Sequence, residues 1–308
     1  MTEKHFSPRS ADRGNLSAEN NSSPANPSGK RADSVLQPDF ESVQAHYDLS
    51  DEFFSLFLDP SMTYSCAKFD KPDLSLEEAQ RAKIDHTLKK CELQPGCRLL
   101  DVGCGWGSTA LRANELYNAH VVALTLSRNQ YEYAQRLASG RPGIEFRLQG
   151  WEEFDEKVDR IVSIGAMEHF GVAKYAAFFE RCHRLLPDHG ILVLHLITLG
   201  KPTNSFTFFR FAHFLSMKIF PNGFVPPPEV VIERARAGSF ELVHAESLRN
   251  DYARTLDCWL DNLVKNQQRA AAITSEANVS MYMKYLAGCA RYFRSGEVNV
   301  HQFKLRKI

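Results

Sequence analysis

The stretch LLDVGCGWG, residues 99–107, carries residue types and spacing that could hold a ligand. Its leucines and valine predict the end of a buried strand, and the alternating glycines Gly103, Gly105 and Gly107 predict a tight turn. Because glycine has no Cβ and tolerates positive φ, a ligand can lie directly against such a backbone. A helix is expected to begin just after the turn and to direct its free N–H groups at the same crevice. Asp101, at the end of the strand, could order the turn or meet a cationic ligand.

The spacing of these glycines is GxGxG, which differs from the GxGxxG fingerprint of dinucleotide-binding folds. With an acidic residue two positions before the first glycine, the turn resembles motif I of class I S-adenosylmethionine-dependent methyltransferases. A strand–turn–helix junction that binds nothing is the alternative interpretation. Either way, the pattern favours the crevice of a doubly wound α/β sheet, where ligands bind at the carboxyl ends of the strands.

Strands and helices alternate from this turn onward, which predicts a mostly parallel, seven-stranded Rossmann-like sheet with helices on both faces. After the strand that ends in the glycine turn, strands are predicted at 120–127, 144–150, 158–170, 190–198, 240–252 and 298–307. The 240–252 strand would carry Tyr252 at its end. Helices are predicted at 75–93, 129–138, 173–186, 253–272 and 276–294. The first of these has a capping box, Ser75 with Glu78.

The rest of the chain is expected to add three segments to this single domain, residues 38–308. Residues 1–37 are rich in Ser, Asn, Pro and charge and predict a disordered tail, and residues 38–95 predict an N-terminal helical lid. Residues 199–235 predict an insertion that contains the phenylalanine-rich stretch 205–223. That stretch is apolar nearly all round, which fits a helix buried in the core, a lid over an acyl-chain pocket or a helix at a membrane interface.

Composition excludes several functional classes for the 308-residue chain. The 37 basic and 37 acidic residues balance, so nothing suggests a nucleic-acid partner. The 7 cysteines are odd in number and none are spaced as CxxC, which argues against a disulfide framework or a zinc site. No apolar run is long enough to span a membrane, and no signal peptide is recognisable. We therefore expect a cytoplasmic protein, with peripheral membrane contact as a further expectation.

Motifs along most of the chain resemble the cyclopropane fatty acid synthase family, above all its mycobacterial branch of mycolic acid cyclopropane synthases and mycolic acid methyltransferases. The resemblance spans about residues 38–307. It implies S-adenosylmethionine as cofactor and addition of a methylene across the double bond of a long unsaturated acyl chain, a mycolic acid precursor or similar lipid, to form a cyclopropane. Besides the glycine turn, the motifs are HYDLSDEFF (46–54), YSCA (64–67), EEAQ (77–80), LTLSRNQ (124–130), GWEEF (150–154), VDRIVSIGAMEHFG (158–171), FPNG (220–223) and MKYLAGCARYFR (283–294).

The same resemblance implies which residues contact the cofactor. Gly103 and Gly105 would lie against its methionine part, beside Asp101. Thr125 and Gln130 would replace the acidic residue that many methyltransferases use for the ribose hydroxyls. The remaining implied contacts are Trp151 and Glu152, which would flank the adenine, and Tyr64 with Ser65, in the lid that would close over the cofactor.

The catalytic base implied by the resemblance is a bound bicarbonate. An alkene that attacks the sulfonium methyl leaves a carbocation, and ring closure then requires removal of a proton in a dry, aromatic site. Glu168 would accept the bicarbonate proton, and His195 and Tyr252 would donate hydrogen bonds to its oxygens. Cys66 and Ile164 would contribute backbone groups, and Cys66 is not interpreted as a nucleophile.

The sequence leaves more than one substrate and product open. Met167 stands where relatives commonly have an aromatic residue, Leu196 replaces the first threonine of HTIT, and the 199–205 connection looks shorter than in many relatives. Water capture of the cation would give a hydroxylated, methyl-branched mycolate instead of a ring. A small-molecule N- or O-methyltransferase and a non-enzymatic lipid-binding protein are more distant alternatives. An acidic acyl carrier protein is the expected partner, docking on Lys201, Arg210, Lys218, Arg234 and Arg236.

Overall fold

A single sheet organises the chain in a computed structural model that describes residues 36–40, 49–221 and 223–308. Its strand order is β3-β2-β1-β4-β5-β7-β6. β7 runs antiparallel to β5 and β6, and the other neighbouring strands are parallel. The predicted mostly parallel, seven-stranded α/β fold is thereby confirmed. The strands are β1 (Arg98–Val102), β2 (His120–Thr125), β3 (Ile144–Leu148), β4 (Arg160–Ile164), β5 (Ile191–Leu199), β6 (Phe240–Ser247) and β7 (Val298–Lys307).

Helices precede the sheet, connect its strands and pack on it, and several begin where the sequence predicts a cap. Ser75 accepts a hydrogen bond from the N–H of Glu78 and completes the capping box. Ser50 and Ser205 cap their helices in a similar way. The helices are α1 (Asp51–Ser55), α2 (Leu76–Cys91), α3 (Ser108–Tyr117), α4 (Arg128–Leu137), α5 (Tyr175–Leu185), α6 (Phe206–Lys218), α7 (Pro228–Ala237), α8 (Arg249–Lys265), α9 (Gln267–Ile273) and α10 (Glu276–Ser295).

Alternating strand residues divide the core between the two faces of the sheet. Leu100 and Val102 of β1 belong to a cluster that includes Phe178 of α5 and Val231 of α7. Leu99 belongs to the opposite cluster, which α2, α3 and α4 cover. A third, strongly aromatic cluster joins α1 to α8, α9 and α10 at the side of the site. The sheet is thus covered on both faces, as its apolar strands require.

Three element boundaries differ from the sequence-based expectations. Tyr252 lies in the first turn of α8, not at the end of β6, because β6 ends at Ser247. The predicted fourth strand ends at Ile164, and Met167–His169 form a single 3-10 turn. The predicted 253–272 helix consists of α8 and α9, which meet at Asn266.

The phenylalanine-rich helix α6 is not a core helix, since none of its residues is fully buried. Phe206 is 72% exposed, Phe209 55% and Met217 64%. On its inner side Phe211 meets Tyr292, and a Cβ on Gly288 would meet the Phe211 ring at 2.2 Å. The prediction of a helical insertion holds, whereas its core-helix interpretation is wrong.

Several expectations fall outside the described part of the chain. These are nearly all of the predicted disordered tail, residues 1–37, together with motif residues 46–48 and Asn222. Among the residues that are described, no helix combines the length and the apolar character needed to cross a membrane.

Candidate active site

A cavity opens at the carboxyl ends of β1, β2 and β4. Parallel strands bring their carboxyl ends to one edge of the sheet, so residues distant in sequence converge there. All the predicted cofactor-contacting residues line this cavity: Tyr64, Ser65, Asp101, Gly103, Gly105, Thr125, Gln130, Trp151 and Glu152. Ile164, predicted to contribute a backbone group to the base, lines it as well.

The glycine turn forms the floor of this cavity. The N–H groups of Gly103 and Cys104 donate to the carbonyl of Leu124, at 3.0 and 2.8 Å, and tie the turn to β2. Gly103 and Gly105 both have positive φ, +79° and +56°. A Cβ on Gly103 would lie 2.3 Å from the Cβ of Ala166, whereas a Cβ on Gly105 would meet nothing within 4 Å. Gly103 is therefore required for packing, and Gly105 leaves open space where a ligand can approach the backbone.

Polar groups around the same cavity lack protein partners. Asp101 Oδ2, Trp151 Nε1 and Glu152 Oε2 are buried without a hydrogen bond to any described residue. The other carboxylate oxygen of Glu152 accepts from Lys174 at 2.9 Å. Since buried polar groups are nearly always paired, these three atoms indicate a polar ligand in the cavity. Burial also raises the pKa of the Asp101 carboxyl to about 7, so a cationic ligand beside it would favour its charged form.

The ribose-side pair predicted from the motif is assembled by β2 and α4. Thr125 Oγ1 donates to Gln130 Oε1 at 2.9 Å. Thr125 also accepts from the N–H of Ser127 at 3.1 Å, and Ser127 caps α4 by accepting from the N–H of Gln130. The hydroxyl and the amide are thereby fixed at the cavity wall.

A second cavity adjoins the first and is lined mostly by apolar surface. Leu215 of α6, Phe220 and Val225 contribute apolar side chains. Tyr64, Ser65, Gly165 and His169 line both cavities. Four of the five predicted catalytic residues line this second cavity: Cys66, Glu168, His195 and Tyr252.

Glu168 lines this second cavity and keeps one carboxylate oxygen without a described partner. Its Oε1 accepts from the backbone N–H of Ile197 at 2.7 Å, while Oε2 is buried with no described partner. Burial raises the pKa of Glu168 to about 7, although the N–H of Ile197 opposes the shift. The carboxyl can therefore hold or release a proton near neutral pH.

His195 lines the same cavity from β5. Its Nδ1 lies 3.0 Å from the amide nitrogen of Gln302, while Nε2 is buried with no described partner. Burial, together with the charges of Lys83 and Lys90, holds the pKa of His195 well below its usual range. The ring is therefore neutral at physiological pH.

The other predicted catalytic residues are held by packing. Tyr252 packs against Phe293 and Trp259, at centroid distances of 4.6 and 6.1 Å, and burial raises its pKa, so the phenol stays protonated. Burial also raises the pKa of the Cys66 thiol, so a nucleophilic thiolate is disfavoured. Its Sγ donates to the carbonyl of Leu248 at 3.6 Å. Cys66 is thus a buried residue in the wall of the second cavity. This environment agrees with its interpretation as a non-nucleophilic residue.

Sequence reasoning missed two buried residues behind the site, Lys83 and Gln302. Lys83 Nζ donates to Ser65 Oγ at 2.8 Å from α2, and burial lowers its pKa to about 8. Its signal was a charged residue at helical spacing among the buried positions Ala79, Thr87 and Cys91. Gln302 gives no comparable signal, because its strand alternates irregularly between buried and half-buried residues.

The fold and the paired cavities define an S-adenosylmethionine-dependent methyltransferase. The chain belongs to the mycolic acid cyclopropane synthetase family, whose sequence model matches residues 34–303. It is similar to cyclopropane mycolic acid synthase 1 of Mycobacterium tuberculosis, 51% identical over 88% of this chain and 99% of that one. The S-adenosylmethionine-dependent methyltransferase UmaA of the same organism is 48% identical over 88% of this chain and 99% of its own.

Solved structures agree with this assignment. The cyclopropane synthase MmaA2 of Mycobacterium tuberculosis superposes with a TM-score of 0.87 at 49% identity, covering 88% of this chain and 99% of that one. The mycolic acid cyclopropane synthase CmaA1 complexed with SAH and CTAB has a TM-score of 0.86 at 51% identity, with the same coverage. The predicted family is thereby confirmed.

The two glycines of the turn should respond differently to alanine. Both substitutions place a Cβ at positive φ, a strain of about 1–2 kcal/mol. Gly103→Ala adds the clash with Ala166 and should lower the melting temperature more than Gly105→Ala. Gly105→Ala instead fills cavity space, so it should weaken S-adenosylhomocysteine binding in calorimetry by about tenfold or more while the protein stays folded. Unchanged affinity in Gly105→Ala would show that the ligand does not lie against this turn.

Glu168→Gln should stabilise the protein increasingly as pH rises. Between pH 4.5 and about 7 the folded state holds a proton that the unfolded chain has released, so wild-type stability declines through this window. The full shift is worth on the order of 3 kcal/mol. Urea unfolding at about pH 5 and about pH 8 measures the difference between wild type and variant. The exposed Glu153→Gln serves as control, and a pH-independent offset in Glu168→Gln would contradict the shifted pKa.

Proposed function

We propose that the protein transfers a methyl group from S-adenosylmethionine to the double bond of a long unsaturated acyl chain and closes a cyclopropane ring. One observation carries the proposal. Glu168 and His195 line a mostly apolar cavity that shares a wall with the cofactor cavity, and each keeps a buried polar atom, Oε2 and Nε2, with no partner among the described residues. The names of the relatives, cyclopropane mycolic acid synthases, support the same reaction.

The first cavity fits S-adenosylmethionine, which would supply the methyl group. The open space above Gly105 accommodates a ligand against the backbone, and Asp101, Trp151 and Glu152 each retain a buried polar atom with no partner among the described residues. Those atoms are two carboxylate acceptors and one indole donor, a set that matches a ligand with ammonium, amino and ring-nitrogen groups. Tyr64, in the shared wall, would separate the nucleoside side from the acyl side.

The chain's own groups favour bicarbonate as the base. Two groups of the second cavity, Glu168 Oε2 and the neutral His195 ring, can accept and donate respectively, and bicarbonate offers both a proton and acceptor oxygens. Tyr252 stays protonated and can donate as well. When bound, the bicarbonate would supply a base that removes the proton from the new methyl group. Glu168 would take up the proton that bicarbonate carries, with a pKa suited to this exchange near neutral pH.

Water must be kept from the cation if the ring is to close. The cavity wall is largely apolar or aromatic, with Phe220, Phe224 and Tyr285 among its members. Aromatic faces stabilise positive charge without forming a bond to it. This lining favours ring closure over water capture, the alternative that would give a hydroxylated product.

The acyl chain would reach the site along α6. Ala212, Leu215 and Ser216 of this helix line the second cavity, and its outer side exposes Phe206 and Phe209. Exposed basic residues lie on and just before α6, namely Lys201, Arg210 and Lys218, and α7 exposes Arg234 and Arg236. This combination favours an acyl chain presented by an acidic carrier protein, which would dock on the basic residues while its chain passes the apolar ones.

Mass spectrometry of the lipid product tests the reaction. Purified protein, S-adenosylmethionine with a 13C-labelled methyl group and a cis-unsaturated long acyl chain on carrier protein should yield a product heavier by one labelled methylene, with loss of the alkene signal. Glu168→Gln should lower the rate by about 100-fold or more, because the proton acceptor is lost. The exposed Glu153→Gln should match wild type.

The same spectra separate the alternatives. A product heavier by a further water molecule would show that water captures the cation and that the protein forms a hydroxylated product instead of a ring. Absence of any labelled product from both carrier-bound and phospholipid acyl chains, in protein that binds S-adenosylhomocysteine, would contradict the proposed function. Urea unfolding of Glu168→Gln at the pH of the assay separates loss of activity from unfolding, and we expect the variant to be at least as stable as wild type there.

Charge reversal on α6 tests the docking of the carrier. Arg210→Glu with Lys218→Glu should raise KM for carrier-bound acyl chains by about tenfold at low salt, with kcat little changed. Arg141→Glu is the control, since this residue is exposed and comes shortly before the edge strand β3. An equal KM in the α6 variant and the control would reject docking at α6.

A further inference from the structure

A buried hydrogen-bond chain runs from Lys90 through Gln302 to the catalytic-site histidine. Lys90 Nζ donates to Gln302 Oε1 at 2.8 Å. The amide nitrogen of Gln302 lies 2.9 Å from Thr87 Oγ1 and 3.0 Å from His195 Nδ1. Gln302, Thr87 and His195 are at most 2% exposed, so water does not compete for these bonds.

The donor and acceptor in each of these bonds can be assigned from chemistry alone. The lysine ammonium can only donate, so the oxygen of the Gln302 amide must face Lys90 and its NH2 must face the other two groups. Thr87 agrees independently, because its hydroxyl donates to the carbonyl of Lys83 at 2.8 Å and thus accepts from Gln302. His195 Nδ1 consequently accepts a hydrogen bond and carries no proton.

A neutral imidazole with a bare Nδ1 has its proton on Nε2. Nε2 is the nitrogen that is buried without a described partner, on a residue that lines the second cavity. We propose that Lys90 and Gln302 are positioning residues that hold His195 as a neutral imidazole whose Nε2–H is a hydrogen-bond donor to the ligand of the second cavity.

This arrangement assigns complementary tasks to the two groups of the site. His195 donates and has no lone pair free on the cavity side, so it cannot remove a proton from the substrate. Uptake of the proton that the proposed bicarbonate carries is left to Glu168, the acceptor of the pair. The catalytic consequence rests on the proposed function, whereas the tautomer of His195 does not.

Other charged groups near these hydrogen bonds do not change the tautomer assigned to His195. Glu246 of β6 accepts from both Lys90 and His86, so the Lys90 ammonium is paired on its outer side. Lys83 lies on α2 one turn from Thr87 and donates to Ser65. Both lysines disfavour an imidazolium at His195, as burial does.

Nitrogen NMR of the full-length protein, 15N-labelled at histidine, reads the tautomer directly. The chain has 11 histidines, and the spectrum of His195→Gln identifies the resonances of His195. Wild type with S-adenosylhomocysteine bound and no substrate should show Nδ1 with the shift of a bare ring nitrogen and Nε2 with that of a protonated one. A protonated Nδ1 would overturn the proposal.

Gln302→Glu is the decisive variant. A carboxylate has no N–H to offer, so it should draw a proton onto Nδ1 while still accepting from Lys90. Thr87→Val is the matched control, because Lys90 still orients the amide and the wild-type pattern should persist. Gln302→Met, which offers neither donor nor acceptor oxygen, provides a second variant of similar size. It should give a mixture of tautomers, and an unchanged Nδ1 shift in both Gln302 variants would overturn the proposal.

Kinetics separate positioning from a merely structural role. Gln302→Met should lower kcat by about tenfold or more and change cofactor affinity little. Removal of the hydrogen-bond partner that orients a metal-ligating histidine has an effect of this size. Lys90→Arg should retain most of the activity that Lys90→Met loses. Wild-type kcat in Gln302→Met would overturn the positioning role. Should wild type form no cyclopropane while the NMR pattern is as expected, the proposed function fails and the tautomer assignment stands.

Discussion

The separation of the two cavities depends on buried hydrogen bonds from α2 to the loop at residues 63–66, because this loop forms part of the wall between them. The amide nitrogen of Gln80 donates to the carbonyls of Thr63 and Ser65, at 3.2 and 2.8 Å. Lys83, one turn further along α2, donates to the hydroxyl of Ser65. From the other side, Thr255 of α8 accepts from the N–H of Ala67 at 3.0 Å. A loop clamped by buried hydrogen bonds can separate a polar cofactor from an apolar chain and still let them meet at one point.

Two carboxyl groups of the site are buried at a cost in folding free energy. Asp101 and Glu168 are buried carboxyl groups whose pKa values rise to about 7, and each keeps an oxygen without a described partner. Burial of such groups costs stability unless a ligand pairs with them. The apolar and aromatic clusters on both faces of the sheet and beside it offset that cost. Selection for activity over stability accounts for carboxyl groups in places where an amide would be less costly.

Much of the fold and the glycine turn could be predicted from the sequence, because their signals are local, whereas the catalytic residues from Cys66 to Tyr252 follow only from the family resemblance. The glycine spacing around Gly105, the Ser75 cap and the alternation of strands and helices follow from backbone chemistry that any chain must obey. Tyr252 was assigned to the end of a strand, where the chain instead continues through a short turn into α8. The exposure of Phe206 could not be predicted, because an apolar helix looks alike in a core and on a surface. Gln302 was missed since its role depends on Lys90, a partner 212 positions away in sequence.

We propose that Glu168 and His195 together hold a bicarbonate ion that would serve as the base. A crystal structure of the protein with S-adenosylhomocysteine and saturating bicarbonate is the decisive measurement. We expect a planar anion in the second cavity, within hydrogen-bond distance of Glu168 Oε2 and His195 Nε2 and beside the sulfur of the cofactor. A second cavity that holds no anion, or an anion bound away from these two atoms, would show that the two residues do not hold the base.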